Sequence, residues 1–161
     1  MRRPLVVTVG AVLAVVILMV LGFAAWPYLK YPGVMERTAA GHLDNVEVQG
    51  FGYVGEDIRT AAVSRFWILR EGSDNLASVV TYDGGPLNRD AAGRDFPSRS
   101  QFEEELGWLP LGGDVRCGLT AFWMKKQPPI GANVELSDAD WRSVEAGTVT
   151  LIRVVVTCGG G

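Results

Sequence analysis

Residues 5–26 contain no ionisable side chain, and that run of 22 constrains the chain more than any other feature. Wound as an α-helix at about 1.5 Å per residue, it is about 33 Å long, enough to cross a hydrocarbon core about 30 Å thick. Arg2 and Arg3 stand just before it. Cations at that end keep an N-terminus in the cytoplasm and send the rest of the chain across the membrane. The sequence therefore predicts a cytoplasmic stub at 1–4, a transmembrane signal-anchor helix at 5–26 with the lipid bilayer as its partner, a juxtamembrane connector at 27–45 and an extracytoplasmic domain at 46–161.

A cleaved signal peptide has an apolar region of about 7 to 15 residues and then an Ala-x-Ala-like site. The nearest matches are Gly22-Phe23-Ala24 and Phe23-Ala24-Ala25, and the second puts Phe where a small residue is required. Trp26, Tyr28 and Tyr31 gather with Lys30 at the outer end, the composition of an outer headgroup layer. The reading is an uncleaved anchor; a secreted domain after cleavage is the alternative. No Cys stands near the end of the run to accept a lipid. Gly10 and Ala14 form a small-xxx-small pair, a pattern common in spanning helices, and Thr8 has its own helix backbone to bond. With no acid, base or His inside, the segment has no proton relay or ion path and reads as an anchor only.

The 131 residues after position 30 make one ordinary domain. Twelve basic residues against eighteen acidic ones leave it at −6, which disfavours nucleic acid and anionic lipid as partners. Arg far outnumbers Lys, and Ala, Gly and Val are abundant, the codon usage of a high-GC bacterium. Cys117 and Cys158 both lie in the translocated part. Outside a reducing cytosol a lone pair points to a disulfide, and two thiols with one distant His are too few for a tetrahedral zinc site.

Strand patterns begin at Val46, Val48 and Phe51. Residues 63–70 are rich in β-branched and aromatic side chains, 71–75 are turn-forming, and 76–82 resume the pattern, which predicts an antiparallel hairpin. A polar connection occupies 87–99. Ser98 or Ser100 as a cap, Glu103 and Glu104 at a positive helix end, and Gly107 as a stop predict a short helix, with Phe102 and Leu106 toward the sheet. In the next strand Cys117, Leu119, Ala121 and Trp123 share one side, and Gly118, Thr120, Phe122 and Met124 the other. Gln127-Pro128-Pro129 ends it. Residues 137–147 carry a full helix signature, with Trp141 and Val144 on the buried side. The last strand, 148–158, is almost wholly apolar over 151–156 except for Arg153 and reads as central or covered on both faces. Laid antiparallel to 115–125, it brings Cys158 near Cys117. The fold class is α+β: a mainly antiparallel sheet of four or five strands with two short helices on one face.

The order of strand, polar connection, Phe102-Glu103-Glu104-Glu105-Leu106-Gly107-Trp108 and strand resembles small, uncharacterised single-pass envelope proteins of high-GC bacteria. That resemblance implies an anchored domain and brings no chemistry with it.

Gly50-Phe51-Gly52-Tyr53-Val54-Gly55 matches a dinucleotide fingerprint, yet Glu56 and Asp57 would repel a pyrophosphate and no βαβ units succeed it, so a glycine-rich strand or bulge is the better reading. The acids Glu103 to Glu105, Asp138 and Asp140 suit exposed first turns of helices; set across a cleft, two of them would serve a glycosidase-type hydrolase. His42, the only histidine, stands near Asp44 without an evident pocket. Trp67, Trp108, Trp123 and Trp141 fit core packing better than a ligand groove. No catalytic, cofactor-binding or metal residue is assigned and no cofactor is implied. The expected function is a non-catalytic binding or assembly module of the cell envelope, with an envelope protein as partner; the alternative is a small envelope hydrolase.

Overall fold

The computed structural model describes residues 3–70, 76, 78–88, 101–113, 115–127, 134 and 136–159. Helix α1 spans Arg3–Lys30, 28 residues or about 42 Å. Its described side chains, at 12, 15–26 and 28–30, are all exposed. Among the described residues no helix is long and apolar enough to cross a membrane.

Pro32 and Gly33 separate α1 from α2, Val34–Leu43. Within the connector expected over 27–45, α1 continues to Lys30, and α2 buries Ala39, Ala40 and Leu43 against the sheet. Its apolar stripe is made largely of alanines, whose small side chains give weak periodicity but permit close packing of a helix on strands.

The main sheet is antiparallel and five-stranded, ordered β2-β3-β8-β7-β6. Its members are β2 Gly52–Arg59, β3 Ala62–Leu69, β6 Glu103–Leu111, β7 Arg116–Met124 and β8 Thr150–Gly159. A second, three-stranded sheet joins β1 Val46–Val48, β4 Val80–Tyr82 and β5 Gly85–Pro86. The α+β architecture is as expected, and the apolar β8 is indeed central.

Two elements differ from expectation. Residues 103–107 belong to strand β6, not a helix, and pair with β7 across a bulge between Glu105 and Gly107. The acids suit a helix start, but a nonlocal ladder outweighs weak local propensity. Each of the first two also meets a cation there: Glu103 reaches Arg153 and Glu104 reaches Lys125. The hairpin expected between 63–70 and 76–82 is replaced by a β2–β3 hairpin turning at Thr60-Ala61, while β4 pairs with β1. Gly52, Gly55 and the charged residues of β2 dilute its apolar pattern, which hides the true partner. Ala61 takes φ 59°, with its N–H donated to the Glu36 carboxylate at 2.9 Å. The turn at 71–75, the connection at 89–99 and residues 128–129 lie outside the described residues.

Helix α3, Asp138–Glu145, matches its sequence signature closely. The Ser137 hydroxyl accepts from the Asp140 N–H, the Asp140 carboxylate accepts from Ser137, and Trp141 and Val144 are buried. Of the two short helices expected on one face only α3 forms, since 103–107 is strand, and the other short helix, α2, covers the opposite face of the sheet. On one side α2 and the small sheet bury Val63, Trp67, Leu119, Ala121, Ile152, Val154 and Val156; on the other α3 covers Phe66, Ile68, Met124 and Leu151. Cys117 and Cys158 are direct partners in the β7–β8 register, with Cα atoms 4.1 Å apart, and form a buried disulfide.

Candidate functional site

The β2–β3 register sets Glu56 directly opposite Arg65. Alternation places both on the α2 side of the sheet, in line with Trp67 and Val63. There they meet the C-terminal end of α1. The Glu56 carboxylate, 5% exposed, accepts from Arg65 Nε at 2.8 Å and from the Tyr31 hydroxyl at 2.6 Å, and lies 3.1 Å from Lys30 Nζ. Arg65, 17% exposed, also holds Asp44 at the end of α2 at 2.7 Å. Five side chains from α1, α2, β2 and β3 and their junctions thus form one ionic network.

Burial alone would raise the Glu56 pKa, but hydrogen bonds from Arg65, Tyr31 and Lys30 outweigh it and hold the carboxyl below its usual range. Tyr31 is pushed up, first by burial and then by its donation to Glu56. Burial works against the charge of Lys30 and of Arg65, and the neighbouring carboxylates more than restore it, so both are raised. A buried pair of this kind is tolerable only when each charge is matched and hydrogen-bonded.

Beside the network opens a cleft of about 430 Å³ lined by Lys30, Asp44, Glu56, Arg65, Tyr53 and Trp67, with Leu43 and Val46. Tyr53 stands edge-on to Trp67, ring centroids 6.2 Å apart, and is 56% exposed. Arg37 packs over the Tyr28 ring and donates to the carbonyls of Tyr31 and Pro32, bracing the bend between the first two helices.

The residues singled out from the sequence fall elsewhere. Glu103 pairs with Arg153 at 2.9 Å on β6, Asp138 is exposed at the start of α3, and Asp140 caps that helix and meets Arg70 at 3.3 Å. His42 lies in α2, its Nδ1 2.8 Å from the Tyr82 hydroxyl. The glycine motif is a turn at Gly50, φ 80°, and then a bulged edge strand, in keeping with the glycine-rich strand expected there. Trp67 and Trp141 are core residues, and Trp108 and Trp123 are half-buried. Among the described residues no group of three or more His, Cys, Asp or Glu side chains is placed to hold a metal ion. Sequence reasoning missed Glu56 with Arg65. Their signal was equal distance from the Thr60-Ala61 turn, legible only once that turn is known.

No family model matches the chain, and no curated protein or solved structure shows significant similarity to it.

Proposed function

We propose that this chain is a single-pass membrane protein, N-terminus in the cytoplasm, whose outer α+β domain binds or assembles with another envelope component without catalysing a reaction. One observation carries the anchor: of the fourteen large hydrophobic side chains that stand exposed among the described residues, twelve lie on α1. A helix apolar on every side needs an apolar surrounding, and lipid supplies it. The whole run 5–26 has the length for this, and Arg2 and Arg3 give the orientation. The buried disulfide suits an oxidising compartment. A binding role is favoured by the polar cleft beside the end of α1. The hydrolase alternative draws no support from Glu103, Glu104 and Asp140, each engaged by a local cation or cap.

Alkaline carbonate extraction tests the anchor. The full-length chain is expected in the membrane pellet, and protease added outside spheroplasts is expected to remove the domain while a cytoplasmic control survives. Recovery of intact chain in the wash refutes the reading, and a shortened, soluble chain establishes cleavage instead.

A further inference from the structure

The cleft beside Lys30 lies at a defined height if α1 spans the membrane. Lys30 is four residues past Trp26, about 6 Å along a helix, and the polar layer on each side of a bilayer is about 5–7 Å deep. The cleft mouth therefore sits among lipid headgroups. Its charges are balanced: Lys30 and Arg65 against Asp44 and Glu56. The inner pair is sequestered, with Glu56 and Arg65 largely closed to solvent, whereas the outer pair is open, Lys30 at 39% and Asp44 at 67% exposure. An ammonium has three donors and a carboxylate about four acceptor sites, more than these contacts use. The open Tyr53 ring adds an aromatic surface of the kind that attracts a cationic amine.

From these features we infer that the cleft binds the headgroup of a zwitterionic phospholipid, its phosphate on Lys30 and its ammonium on Asp44 beside Tyr53. The inference rests on the anchor reading and names the ligand class of that same site. An anionic lipid without an amine leaves Asp44 unmatched and meets a domain of net charge −6.

The full-length chain, purified in detergent and offered equal amounts of phosphatidylethanolamine and phosphatidylglycerol, is weighed intact by native mass spectrometry. Adducts are expected to favour the ethanolamine lipid by about tenfold, the factor carried by about 1.4 kcal/mol. The preference is expected to vanish in the Lys30→Gln, Asp44→Asn double variant and to fall several-fold in Tyr53→Ala. All three side chains are exposed enough that thermal melting should report a folded domain. Equal adducts, a preference for phosphatidylglycerol, or a preference that survives the double substitution overturns the proposal. Soluble glycerophosphoethanolamine at matched concentration is expected not to displace the lipid, and displacement overturns the lipid source. Carbonate extraction of the same membranes separates the two readings: chain in the pellet without lipid preference overturns the headgroup site alone, and intact chain in the wash overturns the anchor with it.

Discussion

Glu56 on β2 and Arg65 on β3 occupy one register position of an antiparallel hairpin, with carboxylate oxygen and guanidinium Nε 2.8 Å apart and both side chains largely closed to solvent. Removing Glu56 leaves Arg65 with only the exposed Asp44, and Lys30 and Tyr31 without this carboxylate, which costs about 3 kcal/mol, while replacing both buried partners with apolar residues of similar size costs less. Glu56→Gln is therefore expected to lower the stability of the full chain in micelles far more than the Glu56→Met, Arg65→Met pair, as read by urea unfolding. Equal losses in both would show that the pair contributes packing only.

The same carboxylate gives stability a pH dependence of known sign. Its folded pKa lies below the ordinary 4.5, so its contribution is fully present above about pH 4.5 and is lost as pH falls through the folded value. Tyr31 and Lys30, both raised, act in the opposite range: their contributions are present below the ordinary values of 10.0 and 10.5 and fade as pH rises through the folded ones. Melting temperatures across pH should fall at both ends. Glu56→Gln should flatten the acid limb, and an unchanged limb would assign acid sensitivity to other carboxylates.

Cys117 and Cys158 close a separation of 41 residues, for which the chain-entropy model gives about 4 kcal/mol of stabilisation. Reduction, or Cys117→Ser with Cys158→Ser, should lower the denaturant midpoint accordingly. Both sulfurs are buried, and thiol reagents applied without reductant should label neither. Labelling of either cysteine in the native chain would contradict the bridge.

Gly107 is closely approached rather than left-handed. A β-carbon there would lie 2.8 Å from the Leu87 β-carbon and 3.1 Å from the Asn88 carbonyl oxygen, in a stretch tied to Trp108 by two backbone hydrogen bonds. Gly107→Ala is expected to destabilise by about 1–3 kcal/mol, since backbone must shift to admit the methyl. A thermal melt of the variant checks this, and an unchanged midpoint would show that the Leu87–Asn88 stretch gives way to the methyl at no cost.

Legibility depends on where the information for each element resides. Helix α3 is readable because cap, first-turn acids, buried face and stop are all local, within 137–147. Strands β7 and β8 are readable because alternating or continuous apolar residues state which faces are covered, and their antiparallel pairing brings Cys117 to Cys158. Strand β6 misleads because three glutamates before a glycine are locally helix-like, and only pairing with β7 and the cations Arg153 and Lys125 favour the strand. Helix α2 escapes notice because alanines give little amphipathic contrast until a sheet is present to bury them.

By itself the sequence determined the apolar run 5–26, the charge balance around it, the α+β class and the cysteine pair, because each is a property of composition or of short-range periodicity. Tertiary structure alone decided that Tyr31 and Lys30 at the end of α1, Asp44 at the end of α2 and Glu56 and Arg65 in one hairpin share a single network beside a cleft. Those residues are up to 35 positions apart in the chain, and the register that joins them depends on a turn at Thr60-Ala61 with no glycine or asparagine to mark it. Charges at such separations meet only after the hydrophobic face has chosen which side of the sheet each strand turns inward.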